Sequence, residues 1–282
     1  MILVTGATGN IGRNVVTALL DEGQEVRALT RDPARAQLPS GVDVVAGDFD
    51  AVETLTPAMK GVTSVLLASY GPATGTRDAN VANAAAEAGV RRIVKISIAG
   101  VEAGDGDPVT EWHRAGEVAI DRVGNHRTFL RCGELMTTAF WWAETIRRVG
   151  KVFVPFADSP SAPIDPGDVA MVATRCLTDG RHDDRDALLL TGPEILTSRE
   201  RVRRLGDMLG EPLECVEVPR DVALERMIAA GQSPVVASAR LDMIEVKSKG
   251  PGASPSNTIE AVTGRPAQTF DDWAAGNLAA FR

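Results

Sequence analysis

The chain begins Met1-Ile2-Leu3-Val4-Thr5-Gly6-Ala7-Thr8-Gly9-Asn10-Ile11-Gly12. Residues 2–5 are apolar or β-branched, which is typical of a buried strand. Gly6, Gly9 and Gly12 then follow at three-residue spacing. The first glycine permits a tight turn, the second lets the backbone approach a pyrophosphate, and the third lets a helix pack against the strand. The stretch therefore predicts a strand–turn–helix unit that binds a dinucleotide, with a plain turn as the alternative interpretation.

The alternation of strand and helix continues through the first half of the chain. Short apolar or β-branched runs predict further strands over 25–29, 42–46, 65–68, 93–97 and 128–131. Helical stretches separate them over 11–19, 76–88 and 112–123. Parallel strands joined by right-handed helical crossovers explain this order. We therefore predict an α/β fold with a Rossmann-type doubly wound parallel sheet.

The rhythm changes after about residue 133, where we predict a smaller C-terminal substrate lobe. Further elements are predicted as a helix over 134–149, a strand over 187–190, helices over 199–209 and 221–230, and a loop over 247–257. Asp221 is placed to cap the last of these helices. We expect 1–133 plus roughly 160–191 to form the Rossmann core, and roughly 134–159 plus 192–282 to form the substrate lobe.

The composition disfavours several classes of protein. The formal net charge of −8 disfavours nucleic acid as a partner, because phosphate neutralisation needs a basic surface. The three cysteines stand at neither metal-ligand nor redox spacing, and His126 and His182 have no ligand-spaced partners, so we expect no metal site. The sequence has no apolar run of transmembrane length and no signal-peptide pattern at Met1. We expect a cytoplasmic protein without a membrane partner, for which a homodimer is possible.

The ends of the second and third strands indicate which dinucleotide is bound. Thr30 and Arg31 stand where a carboxylate would bond the ribose 2′-hydroxyl of NAD, and a hydroxyl with a guanidinium instead favours the 2′-phosphate of NADP. Asp32 could still point at the ribose. Asp48 and Phe49 are expected beside the adenine, with an N-capping aspartate and a core phenylalanine as the alternative. We therefore predict NADP(H) as the cofactor.

The glycine turn Thr5–Gly12, together with Ala28–Pro33 and Gly47–Asp50, resembles the NmrA-like family, an atypical branch of the short-chain dehydrogenase/reductase superfamily. The resemblance spans nearly the whole chain and continues through 94–97, 112–117, 129–133, 163–170, 190–194 and 269–273. It implies a Rossmann core, NAD(P) binding and a small C-terminal substrate lobe. Members include quinone reductases, isoflavone-reductase-like enzymes, and proteins that bind the nucleotide only to sense redox state.

The residues around the cofactor follow from the pattern and the resemblance together. In the family, the turn after the sixth strand supplies backbone groups to the nicotinamide carboxamide. Cys132 stands where a proline is common, and we interpret it as a small packed residue rather than a reactive thiol. The expected cofactor-binding residues are Gly6, Thr8, Gly9, Asn10, Ile11, Gly12, Arg31, Asp48, Phe49, Ala68, Ser69, Ser97, Cys132, Gly133 and Leu135.

The acid–base pair that is usual in short-chain dehydrogenases is missing from this sequence. Such enzymes use a tyrosine whose pKa is lowered by a lysine four residues later on the same helix face. The resemblance places Trp112 and Gly116 at those two positions, and neither an indole nor a glycine can do that work. A Tyr–Lys carbonyl reductase is therefore disfavoured.

Four other residues are candidates for the proton chemistry. His113 and Glu117 are four apart on one helix face and could form a carboxylate-oriented imidazole, or only a surface helix pair. Ser97 ends the fifth strand, where the sheet opens toward the nicotinamide, although a strand-end serine is often only a cap. Tyr70, just past the fourth strand, could border the site.

These observations leave two candidate functions. The first is an NADPH-dependent reductase that transfers hydride to a quinone or related conjugated aromatic substrate, which needs little acid help and could serve biosynthetic tailoring. Phe140, Trp141 and Trp142 could line an apolar pocket for such a substrate, or pack in the core. The second is an NADP-binding redox-sensing regulatory protein without catalysis, which would act through a protein partner.

Overall fold

Seven parallel strands form the central sheet of the computed structural model, which describes residues 1–124, 126–179, 187–250 and 254–282. The strands of the chain are β1 (Ile2–Thr5), β2 (Val26–Thr30), β3 (Asp43–Ala46), β4 (Ser64–Leu67), β5 (Arg92–Ile98), β6 (His126–Cys132), β7 (Lys151–Val154), β8 (Ala187–Leu190) and β9 (Glu214–Glu217). The sheet order is β3-β2-β1-β4-β5-β6-β8, with every pairing parallel. This confirms the predicted Rossmann-type doubly wound sheet.

Helices cover both faces of this sheet. They are α1 (Gly12–Asp21), α2 (Leu55–Ala58), α3 (Thr74–Glu87), α4 (Ala99–Ala103), α5 (Pro108–Asp121), α6 (Ala143–Val149), α7 (Pro166–Thr178), α8 (Ser198–Leu209), α9 (Arg220–Ala229), α10 (Pro234–Lys249), α11 (Thr258–Thr263) and α12 (Phe270–Asn277). Val4 packs with α1 and α7 on one face, whereas its neighbour Leu3 packs with α3 on the other. Successive strand residues thus enter two separate cores, which explains why the strands are apolar almost throughout. None of the helices in the described ranges has both the length and the apolar character needed to cross a bilayer.

The order of the strands determines where a ligand can bind. From β1 the chain runs outward to β2 and β3 on one side, and then returns to β4 on the other side of β1. The connections on the two sides of β1 therefore diverge, and a crevice opens at the carboxyl ends of β1 and β4. The glycine turn after β1 lies at this edge.

A second packing unit is built from the C-terminal part of the chain. β7 and β9 pair in parallel as a two-stranded sheet apart from the main one. Beside them, aromatic rings form a cluster in which Phe140, Trp273 and Phe281 lie against one another, with centroids 5.1 to 6.4 Å apart. Helix α10 packs against α5, so this unit reaches over the carboxyl edge of the main sheet.

The helix predicted over 134–149 and the cap predicted at Asp221 differ from the structure. Met136 donates its backbone N–H to Ile164 O, which holds the chain extended where a helix over 134–149 was expected. A 3-10 turn over 136–142 follows instead, and then α6. Asp221 does not cap its helix, because Pro219 precedes the first helical residue and Asp221 lies inside the first turn.

The loop predicted over 247–257 begins later than expected, because α10 continues to Lys249; residues 251–253 of that loop lie outside the described residues. Helix α10 itself was not predicted. Its apolar residues are spread around the helix rather than gathered in one stripe, so the periodicity gives no signal. Its start is nonetheless well defined, since the Ser233 hydroxyl accepts the Val236 N–H as an N-cap and Pro234 takes the first helical position.

Candidate functional site

The glycine turn is closed by contacts that leave no room for side chains. Gly6 has a positive φ of 61°, and the Gly9 N–H donates to Gly6 O at 2.9 Å. A Cβ on Gly12 would lie 2.1 Å from Gly6 O, a distance that no real Cβ adopts. Thr8 and Asn10, by contrast, are exposed at the start of α1. The turn therefore presents the beginning of a helix to the crevice without side chains in the way, which is the arrangement that attracts a phosphate.

The end of β4 is fastened to this turn. The Thr5 hydroxyl donates to Leu66 O at 2.9 Å and accepts the Ala68 N–H at 2.8 Å. A Cβ on Gly6 would lie 3.2 Å from the Ala68 Cβ. The structure thus brings the glycine turn together with Ala68 and the adjacent Ser69, which were predicted from distant parts of the sequence.

The residues expected around the adenosine end lie after β2 and β3. Arg31 is exposed, and none of the described carboxylates pairs with it. Asp48 uses a carboxylate oxygen to accept the Asp50 N–H at 3.0 Å, and so closes a local turn rather than capping a helix. Phe49 packs partly against the core on the α3 face. The core alternative for Phe49 is therefore supported by its packing, while Arg31 is free to meet an anion.

Ser97 and Glu117, both predicted as catalytic residues, are engaged by other side chains in this structure. Ser97 is fully buried and its hydroxyl donates to Glu117 Oε1 at 2.6 Å. The other Glu117 oxygen is held by Arg131 at 2.7 Å, and Arg131 also pairs with Glu102 on α4. This chain of contacts joins β5, α5 and β6 beneath the edge of the sheet. These contacts hold α5 against the two strands.

His113 is not oriented by Glu117, so the predicted imidazole–carboxylate pair is wrong. The ring is buried and neither nitrogen has a hydrogen-bond partner among the described residues. Burial, and secondarily the Lys95 ammonium, lower the pKa of His113 to about 3. The imidazole is therefore neutral at physiological pH and cannot serve as an imidazolium acid.

A buried ion pair, which sequence reasoning missed, occupies the space beside Gly116. Lys95 on β5 lies 2.7 Å from Asp78 Oδ2 on α3, with both side chains completely buried. Lys95 also donates to Ser69 Oγ at 3.1 Å, and the Ser69 hydroxyl in turn donates to Asp78. A Cβ on Gly116 would lie 2.1 Å from the Asp78 carboxylate. The glycine at this position is therefore required by packing, since a lysine on the helix would collide with the pair.

The sequence did contain a signal for this pair. Lys95 interrupts the apolar run of β5, and Asp78 interrupts the alanine-rich helix α3. Two residues of opposite charge in segments that are both predicted to be buried are expected to form an ion pair, because an unpaired buried charge is strongly unfavourable.

The turn after β6 is more constrained than the resemblance implied. Burial raises the pKa of the Cys132 thiol to about 12, which agrees with a packed residue rather than a reactive one. The Gly133 N–H donates to Leu190 O at 2.8 Å, so this N–H is not free for a nicotinamide carboxamide. Leu135 forms a bridge with Ile164. Any contribution of the turn to the cofactor must come from its other backbone groups.

Among the residues that the structure describes, Tyr70 and Trp141 have the aromatic side chains most exposed to solvent. Tyr70 is 46% exposed and meets the ring of Trp112 edge-on, with centroids 5.9 Å apart. Trp141 is 55% exposed, whereas Trp142 is buried. The Tyr70 ring thus lies beside Trp112, the residue that the family resemblance aligns with the usual tyrosine of the superfamily.

His113 is expected to make the folded protein sensitive to acid. The pKa of an unfolded histidine is near 6.5 and that of folded His113 is about 3, so the unfolded chain gains a proton first as the pH falls. The stability that depends on the neutral ring is complete above pH 6.5 and is lost as the pH falls toward 3. Between pH 7 and pH 5 this loss is about 2 kcal/mol.

The His113→Phe variant keeps a ring of similar size and cannot take up that proton. Urea titrations at pH 7 and pH 5 should show a smaller fall in the free energy of unfolding than in the wild type. His126→Phe, on the exposed start of β6, is the matched control and should retain the wild-type dependence. Equal acid sensitivity of H113F and the wild type would contradict a buried neutral imidazole.

The geometry of the turn and crevice agrees with comparisons to known proteins. Residues 6–180 match a protein family described as NAD(P)H-binding. A (4-alkanoyl-5-oxo-2,5-dihydrofuran-3-yl)methyl phosphate reductase from Streptomyces griseus is 41% identical, over 100% of this chain and 99% of that protein. An NAD(P)H azoreductase from Xenophilus azovorans is 32% identical, over 100% of this chain and 99% of that protein.

A solved structure resembles the whole chain. The NADPH-dependent quinone oxidoreductase from Escherichia coli has a TM-score of 0.84 at 25% identity, over 98% of this chain and 99% of that chain. These matches confirm the NmrA-like resemblance and NAD(P)H as the class of cofactor. The chain belongs to the NAD(P)H-binding family, in the NmrA-like class of atypical short-chain dehydrogenases/reductases.

Proposed function

We propose that this protein is an NADPH-dependent reductase that transfers hydride to a quinone or another conjugated, electron-poor acceptor. The observation that carries the proposal is the crevice at the switch point between β1 and β4, in which a glycine turn is present but the Tyr–Lys pair is replaced by Trp112 and Gly116. The relatives support this class of reaction. An unsaturated lactone, an azo compound and a quinone are all conjugated acceptors, and these are what the three are named for.

The cofactor would lie across the carboxyl edge of the sheet. We assign the pyrophosphate to the turn Gly6–Gly12, the 2′-phosphate to Arg31, and the nicotinamide half to the edge formed by Ala68 and Ser69. NADPH supplies the hydride when bound. The protein positions the nucleotide, and the Lys95–Asp78 pair fixes Ser69 at the floor of the crevice.

Tyr70 is the side chain that we assign to the proton. Hydride addition to a conjugated acceptor gives an anion that is spread over several atoms, so a weak acid is enough to complete the reduction. Burial raises the pKa of the Tyr70 phenol, which therefore stays protonated at neutral pH. The phenol can donate a hydrogen bond to a substrate oxygen, and solvent can replace its proton because the side chain is half exposed.

The regulatory alternative receives less support. It rested on the missing Tyr–Lys pair, and the full-length relatives at 41% and 32% identity are both named as reductases. We retain the proposed division of the chain into a Rossmann core, 1–133 plus roughly 160–191, and a substrate lobe formed by the rest. The separate aromatic cluster around Trp273 supports it.

The function is tested by mixing the purified protein with NADPH and a panel of quinones, azo compounds and unsaturated lactones. We expect NADPH oxidation, followed as the loss of nicotinamide absorbance, with at least one class of acceptor. Simple ketones, which need a stronger acid, should be poor substrates. Tight NADPH binding without turnover on any acceptor would favour the sensor instead.

Tyr70→Phe removes only the phenolic hydroxyl. We expect kcat/KM for quinones to fall about ten- to a hundredfold, because a positioned acid or hydrogen-bond donor is lost. The Kd for NADPH and the melting temperature should stay at their wild-type values, since the half-exposed ring and its contact with Trp112 remain. An unchanged kcat/KM on every acceptor would assign the proton to solvent.

Arg31→Ala tests the preference for NADP. We expect the Kd for NADPH to rise about ten- to a hundredfold, as on losing a charge-assisted hydrogen bond, while the Kd for NADH changes by less than about threefold. Fluorescence titration of the reduced nicotinamide measures both. Arg91→Ala, an exposed arginine before β5 at the opposite end of the strands, is the control. Equal weakening of both coenzymes would remove the assignment of Arg31 to the 2′-phosphate.

A further inference from the structure

Helix α10 carries a cation over the carboxyl edge of the sheet. Arg240 lies near the middle of this helix, which packs against α5. Its guanidinium carbon is 3.9 Å from the centroid of the exposed Trp141 ring, and its Nη1 donates to Gln232 at 3.4 Å. The charge of Arg240 also acts on the Tyr70 phenol. The guanidinium therefore stands beside the two outward-facing aromatic residues of the candidate site.

Arg240 differs from its neighbours in having no carboxylate in direct contact, although the charge of Glu134 acts on it from a greater distance. None of the described carboxylates lies within 4.0 Å of it in an ion pair. Helix α10 does carry two carboxylates, Asp242 and Glu245. Both form ion pairs with Arg220 of the adjacent α9 and not with Arg240. A partly buried guanidinium that lacks such a partner in a chain with a net charge of −8 calls for an explanation.

The contact between Arg240 and Trp141 can be compared with a second arginine–tryptophan contact, at the next residue, Trp142. The Arg201 guanidinium lies over the Trp142 ring, 5.2 Å from its centroid, and is completed by Glu134 at 3.0 Å. Arg240 and Trp141 repeat the arginine-over-tryptophan contact without the carboxylate. The first pair is buried, whereas in the second Trp141 is exposed to solvent and Arg240 is partly buried.

Stacking leaves the hydrogen-bonding capacity of Arg240 largely unused. A guanidinium that meets a ring with its face keeps N–H donors in its own plane, and these suit a carboxylate, sulfonate or phosphate in a forked geometry. The anionic groups of the nucleotide are assigned elsewhere, at the turn after β1 and at the end of β2. Arg240 lies instead beside residues that follow β4 and β6.

We propose that Arg240 is a specificity residue that binds an oxyanion substituent of the acceptor, so that the substrates of this site are anionic conjugated molecules. The proposal rests on the reductase function proposed above. In this arrangement the oxyanion meets the guanidinium, and the conjugated part of the molecule extends past Trp141 and Tyr70 toward the nicotinamide.

A matched pair of acceptors tests this proposal. The probes are a (4-alkanoyl-5-oxo-2,5-dihydrofuran-3-yl)methyl phosphate and the corresponding free alcohol, which share one conjugated ring and differ in the anion. A second pair, 1,4-naphthoquinone and its 2-sulfonate, asks whether sulfonate serves as well as phosphate. We expect Arg240→Gln to lower kcat/KM for the anionic members about ten- to a hundredfold, mainly through KM, and to change the neutral members less than about threefold.

Two further variants make the result specific. Arg240→Lys keeps the charge and should retain part of the preference for the anion. Arg226→Gln removes a guanidinium that also lies on a ring, that of Phe153 at 4.3 Å, and it should leave both preferences unchanged. Wild-type melting temperatures and NADPH affinity verify that each variant is folded.

An equilibrium measurement separates this proposal from the proposed function. Calorimetry on protein saturated with NADP⁺ compares binding of the phosphate ester with that of the alcohol, with the phosphate sites of the nucleotide already filled. Tighter binding of the ester that R240Q abolishes supports the anion site, even if no acceptor is turned over. Equal effects of R240Q on charged and neutral probes, or no effect on either, would overturn it while leaving a working reductase in place.

Discussion

The approach of Gly12 to the Gly6 carbonyl is the constraint on which the rest of the structure depends. A side chain on Gly12 would push α1 away from β1, and with it the start of the helix that faces the crevice, whereas a side chain on Gly6 would crowd Ala68. The contact also sets the position of β4, because Ala68 packs against Gly6 and is tied to Thr5. A turn of seven residues therefore fixes the edges of the two strands between which the sheet changes direction.

A second glycine plays a comparable role on the other side of the crevice. Gly116 makes room for the Lys95–Asp78 pair, which lies where the lysine of an ordinary short-chain dehydrogenase would project from its helix. Both groups are completely buried, and Lys95 donates the hydrogen bond that holds Ser69 in place.

The fold was predictable from the sequence because each strand and helix is indicated by residues within its own segment. Most of the parallel strands contain an apolar run, and most are followed by a helical segment and a glycine, so β1 to β6 and β8 could be placed within a few residues. The catalytic candidates were predicted less well. Ser97, His113 and Glu117 have suitable chemistry and spacing, but their burial and their partners depend on how α5 packs against β5 and β6, which helix periodicity does not reveal. Lys95 and Asp78 are charged residues within apolar segments of the sequence. That they pair with each other could be seen only in the structure, which packs α3 against the sheet.

The Tyr70 phenol and the Arg240 guanidinium suit hydride transfer to a conjugated acceptor. An acceptor that receives hydride gains negative charge before it gains a proton, and a conjugated system can hold that charge while a weak acid completes the step. A simple ketone cannot, because its alkoxide needs a strong donor within the transition state. A crevice with a half-exposed phenol and an unpaired guanidinium, and with its histidine kept neutral, offers positive potential and little acidity. Under the proposed function, this combination would favour anionic conjugated acceptors over simple ketones.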